Sequence, residues 1–138
     1  MDGPPIGRAW IRREGDACTL VTYGAMVTRC LEAAEVLARE RLPCRVLDLR
    51  SLVPLDLHTL AESVRRTGRV VVVHEAPRTL GMGAEIAARI MEEGFDYLEA
   101  PVLRVTGYDV PYPPAALEQR YLPSIERIRA AVRTVVSH

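Results

Sequence analysis

Residues 70–90 read VVVVHEAPRTLGMGAEIAARI. Four successive valines make a strand buried on both faces, because a half-buried strand would alternate apolar with polar residues. In a chain of 138 residues that pattern points to a parallel sheet with helices packed on it. The strand is expected over residues 70–74. A polar elbow follows, Gly81 and Gly83 lead into a helix with Met82, Ile86 and Ile90 inward, and Gly94 closes it. His74 and Glu75 fall at the carboxyl end of the strand. Open α/β sheets place their ligands and partners along that edge, so function is sought there first.

The flanking segments repeat the strand–helix alternation. Cys18–Tyr23 reads as a buried strand ended by Gly24. From Ala25 to Leu42, Val27, Cys30, Leu31, Ala34, Leu37 and Ala38 follow helical spacing until Pro43 intervenes. Arg45–Leu49 is the next strand, with Cys44 just before it. Asp56 is the expected N-cap of a helix with Leu57, Leu60, Ala61 and Val64 inward and Gly68 as its stop. Val102–Val105, interrupted by Arg104, suits an exposed edge strand. A last helix starts at Ser124, with Ile125, Ile128, Val132 and Val135 inward. With a short strand at Ala9–Arg13 in front, four strand–helix pairs make a three-layer α/β/α sandwich. Residues 1–7, rich in Pro and Gly, read as a linker remnant, and residues 8–138 as one domain.

Composition narrows the function classes. The formal net charge is zero, which argues against nucleic acid and against an anionic membrane surface. No apolar run approaches the roughly 20 residues of a membrane span, and the first residues do not form a secretory signal. A cytoplasmic location is the resulting expectation. All 18 basic residues are arginine, so a lysine base or Schiff base is excluded. The 3 cysteines, Cys18, Cys30 and Cys44, form no C-x-x-C pair and read as small buried hydrophobes. His58, His74 and His138 supply no metal-ligand spacing beside them.

Three segments are candidates for function. Gly81-Met82-Gly83 departs from a dinucleotide fingerprint: it comes six residues after Glu75, and Ile86 holds the third glycine position. Close packing at a helix start explains the pair more cheaply. His74 and Glu75, as strand neighbours, point to opposite faces and have no nucleophile in a G-x-S-x-G elbow. Between residues 95 and 121 stand Tyr97, Tyr108, Tyr112, Tyr121 and Phe95, with Pro111, Pro113 and Pro114 among them. Such residues suit an extended segment that wraps the edge of its own sheet or forms a subunit interface.

The strings GRAWIRREG, LVTYGAMV, VLDLRSLVPLD, TGRVVVVHEAPRTLGMGAEIAARI, APVLRVTGYDVPYP and YLPSIERI together resemble one family. It is the carboxyl-terminal, transketolase-like domain of the beta subunit of 2-oxo acid dehydrogenase decarboxylating components. The resemblance covers nearly the whole chain. It implies a five-stranded, mostly parallel sheet whose first strand is antiparallel, the role that Ala9–Arg13 fits. It also implies a parent enzyme that uses thiamine diphosphate and magnesium, with no cofactor bound and no catalytic residue supplied by this domain. The implied partners are an alpha subunit, a second beta subunit and an acyltransferase core that receives the acyl group on a lipoyl arm. His74, Glu75, Arg78, Asp109 and Tyr112 become interface candidates. Leu80-Gly81 stands where many members carry two glycines, which bears on the local turn or on packing across an interface. The HEAP and GYDVPYP strings look closer to branched-chain than to animal-type pyruvate enzymes, and bacterial pyruvate and acetoin versions share much of both. Two other classes compete with an assembly domain: an anion-binding Rossmann-like domain using the Gly81–Gly83 helix start, and a small hydrolase built on His74.

Overall fold

Alternation within each strand decides which helix covers which face. In the computed structural model, which describes residues 3–109 and 122–138, the strands are β1 (Trp10–Arg13), β2 (Cys18–Thr22), β3 (Cys44–Asp48), β4 (Val70–Pro77) and β5 (Leu103–Gly107). Leu20, Val46, Val71, Val73 and Val105 pack under helices α1 (Met26–Arg39) and α4 (Ile125–Val136). Val21, Leu47, Val70 and Val72 pack under α2 (Leu57–Thr67) and α3 (Met82–Gly94). The result is the expected three-layer α/β/α sandwich, with all four valines of β4 fully buried.

The sheet order is β1-β3-β2-β4-β5. β1 runs antiparallel to β3, with Trp10 opposite Asp48, and the other pairs are parallel. The segment before Trp10 therefore lies at the carboxyl edge of the parallel strands. There Ala9 N–H donates to Asp56 Oδ2 at 2.8 Å, and the Arg50 guanidinium donates to the carbonyl of Pro4.

Local chemistry sets the helix ends. Asp56 caps α2 by accepting from Thr59 N at 3.1 Å and from Thr59 Oγ1 at 2.7 Å, and Gly68 ends it at φ 68°. Helix α1 stops before Pro43 is reached. Leu42 N–H returns to Leu37 O and Arg41 N–H to Ala38 O, with Arg41 at φ 64°, the paired bonds of a Schellman end. On α2, Ser63 and Thr67 are buried where Ala61 was expected. The reason is a polar seam in which Thr19 and Thr67 hydroxyls meet at 2.9 Å and buried Arg45 reaches Ser63 and Glu62.

Burial alone would raise the Asp56 pKa, but the bonds from Thr59 and Ala9 outweigh it and hold the carboxyl below its usual range. A depressed carboxyl adds stability that is complete above its unfolded pKa and is lost as pH falls through the folded one. Asp56→Ala is expected to cost about 2 kcal/mol in urea unfolding near neutral pH, with the deficit shrinking below about pH 4.

All three cysteines are free and buried. Cys44 opens β3 rather than preceding it, and stands beside Cys18 in the register of β2 and β3. The neighbouring Cys44 and burial push the Cys18 thiol up, and burial pushes Cys30 up to about 12. Iodoacetamide at neutral pH is expected to leave the folded chain unmodified and to alkylate three thiols once urea unfolds it.

Candidate functional site at the carboxyl edge

The strand order reverses direction at β2, which lies between β3 and β4. The crevice outside the carboxyl ends of β2 and β4 is therefore the ligand position that an open α/β sheet offers. Here Tyr23 follows β2, and its ring stacks on His74 of β4 at a centroid distance of 6.3 Å. His74 is 0% exposed. Two of the protein's own rings thus stand in the crevice.

β4 continues to Pro77, three residues beyond the expected end. Val73 pairs with Val105 and Pro77 with Gly107, so residues 74–76 form a bulge against β5. His74 continues the alternation of Val70 and Val72 onto the face covered by α3 and is buried there, while Glu75 is exposed. This corrects the expectation for His74: as a fully buried side chain it cannot itself contact a partner. Neither ring nitrogen has a hydrogen-bond partner. Burial first, and the Arg104 charge next, lower its pKa, with the Ala76 backbone working the other way. The imidazole is therefore held neutral. Neither nitrogen is hydrogen-bonded to a serine, threonine or cysteine side chain among the described residues.

The same ring explains the glycine pair. A Cβ at Gly83 would lie 2.3 Å from His74 Nε2, and one at Gly81 would lie 2.2 Å from the carbonyl oxygen of Pro77. Gly83 sits inside the first turn of α3, not ahead of it. The two glycines let the helix start ride over His74, which is a packing function.

The remaining candidates lie at the surface. Arg78 Nη1 donates to Arg104 O, and Arg104 Nη1 donates to Arg78 O, each at 3.1 Å. Asp109 accepts from Thr79 N at 2.8 Å and from the Thr79 hydroxyl. These bonds, led by the Thr79 hydroxyl, hold the Asp109 carboxyl below its usual range. The β4–α3 loop is thereby tied to the segment after β5, and Arg78 and Asp109 come together. Tyr112 lies outside the described residues. Sequence reasoning missed Tyr23 and the amino-terminal segment. An antiparallel first strand was the available signal that residues before it return to this edge.

Four large apolar side chains stand exposed on the edge: Ile6 at 95%, Val53 at 90%, Leu80 at 98% and Tyr108 at 50%. They belong to the segment before β1 and to the loops after β3, β4 and β5. Leu80 holds φ 60°, a conformation that glycine adopts without cost, so the loop keeps its turn despite the bulkier residue.

Residues 7–128 match the family described as "Transketolase, C-terminal domain". The chain belongs to that family. Over 134 residues it is 52% identical to the 3-methyl-2-oxobutanoate dehydrogenase subunit beta of Mycobacterium tuberculosis, covering 96% of this chain and 38% of that protein. It is 47% identical over 132 residues to the pyruvate dehydrogenase E1 component subunit beta of Rickettsia bellii, covering 95% of this chain and 41% of that one. A solved structure titled "Split gene transketolase, inactive beta4 tetramer" superposes with a TM-score of 0.82 at 35% identity, over 95% of this chain and 42% of that chain. This transketolase C-terminal domain thus spans about two fifths of the length of these relatives.

The described residues do not fit a site for thiamine diphosphate with magnesium. No group of three or more His, Cys, Asp or Glu among them could hold a metal ion, and the Tyr23 and His74 rings stand in the crevice. Among the described residues, no helix is long and apolar enough to cross a membrane.

Proposed function

We propose that this chain is the assembly domain of the beta subunit of a thiamine-diphosphate-dependent 2-oxo acid dehydrogenase decarboxylating component. It is not catalytic alone. In this reading the parent enzyme is a cytoplasmic oxidoreductase. It decarboxylates pyruvate or a branched-chain 2-oxo acid and passes the acyl group to the lipoyl arm of an acyltransferase core. The domain contributes contacts with the alpha subunit and a second beta subunit, while the cofactor and magnesium sit elsewhere in the enzyme. Residues 1–7 act as the connector, and 8–138 as the domain.

One observation carries the reading. The edge where such sheets usually bind ligands has two of the chain's own rings in its crevice and its rim lined with Ile6, Val53, Leu80 and Tyr108, all facing solvent. Exposed apolar side chains gathered on a rim are what a protein partner covers. Glu75, Arg78 and Asp109 are the polar contacts beside them, with Tyr112 as the further candidate.

The test is reconstitution. The chain is mixed with the remaining part of the beta subunit and with the alpha subunit, and 2-oxo acid decarboxylation is assayed with thiamine diphosphate and magnesium. Turnover is expected only when all three polypeptides are present. Full turnover by the other two alone, or no complex with either, overturns the assignment.

A further inference from the structure

The rim carries a second feature that subunit contacts do not require. A cavity of about 320 Å³ opens between the loops after β4 and β5, lined by Arg78, Thr106, Gly107, Tyr108, Asp109 and Arg127. Arg127 comes from the first turn of α4 and donates through Nη2 to Thr106 O at 2.7 Å. Its guanidinium lies 4.8 Å from the centre of the half-exposed Tyr108 ring. Its Nη1 is buried and has no hydrogen-bond partner. A charged donor withdrawn from water without an acceptor is costly and calls for one.

The charges nearby have one sign in excess. Arg78 and Arg104 donate to each other's backbone carbonyls, and Asp109 offsets part of the Arg78 charge. Asp109 is the cavity's own carboxylate, and both its oxygens are engaged by Thr79. Two guanidinium groups from different elements, a buried free donor and a small cavity are the parts of an oxyanion receptor.

We infer that the cavity between Arg78 and Arg127 binds a small free oxyanion, a phosphate or a carboxylate. The anion accepts from Arg127 Nη1 on one side and pairs with Arg78 on the other, and Tyr108 forms the wall it enters past. The site is separate from the crevice over β2 and β4 but shares Arg78, Tyr108 and Asp109 with the rim assigned to partners, so it is tested on the uncomplexed chain.

The 138-residue chain is titrated with inorganic phosphate, and separately with acetate, at constant ionic strength maintained with chloride. Backbone amide and arginine Nε–H resonances are followed by NMR. Saturable shifts confined to Arg78, residues 106–109 and Arg127 are expected, and the tighter of the two anions identifies the class. Arg78→Gln is expected to weaken binding about tenfold or more with an unchanged melting temperature. Arg127→Lys keeps a charge but loses the fork, and is expected to weaken binding while the fold is retained. Shifts that follow chloride equally, fail to saturate, or persist undiminished in Arg78→Gln overturn the site.

Discussion

Gly83→Ala is expected to destabilise the domain by about 2–3 kcal/mol, although helix propensity alone would favour alanine there by about 1 kcal/mol. The backbone is not the obstacle, since Gly83 is not among the residues at positive φ. The new Cβ would sit 2.3 Å from His74 Nε2 and 2.6 Å from its Cδ2. The ring has no room to retreat: it is fully buried, with Tyr23 stacked against it. A double-mutant cycle isolates this cause. In a His74→Ala background the added methyl fills vacated space, so Gly83→Ala should cost nothing or stabilise. Equal destabilisation in both backgrounds would show that the packing account is wrong.

The same pair predicts a pH dependence. Because the folded His74 pKa is depressed, the unfolded chain binds the proton more readily, and stability falls as pH drops below about 6.5, the unfolded value. Above that pH the contribution is complete. Urea midpoints between about pH 7 and 5 should decline in the parent chain and decline less in His74→Ala. Parallel slopes would place the acid sensitivity in other groups.

The central strands and the layers were legible because burial on both faces leaves an unmistakable apolar run, as in Val70–Val73. Edges were harder. β5 begins at Leu103 and reaches Gly107, rather than spanning 102–105, because an edge strand carries a weaker pattern and its pairing decides its length. The bulge at His74 could not be read from composition, since it exists only in the offset between β4 and β5. The burial of His74 follows instead from the alternation that puts Val70 and Val72 under α3 and carries on through residue 74. Gly81 and Gly83 could be recognised as packing glycines, but not as clearance for one particular ring. That required knowing that the first turn of α3 crosses β4 at His74.

Leu80 supports the second large effect, because its stability and its interactions make opposite demands. At φ 60° and 98% exposed, it gains nothing from the isolated domain and strains its backbone. Leu80→Gly should therefore leave stability unchanged or raise it by up to about 1 kcal/mol, relief of strain being offset in part by the freer unfolded chain. Leu80→Asp should stay within about 0.5 kcal/mol of the parent in urea unfolding, since an exposed site loses no packing. In the reconstituted enzyme the expectation reverses. If a partner covers the carboxyl edge, a leucine at the tip of the β4–α3 loop becomes a buried anchor. Leu80→Asp would then bury a charge and weaken assembly by about 2 kcal/mol or more, roughly 30-fold in Kd. Calorimetric titration against the remaining beta subunit and the alpha subunit reads that difference directly. Assembly of Leu80→Asp at parental affinity would move the interface away from this loop. Weakened assembly with unchanged folding would mean that the strain at residue 80 is tolerated for the contact it presents.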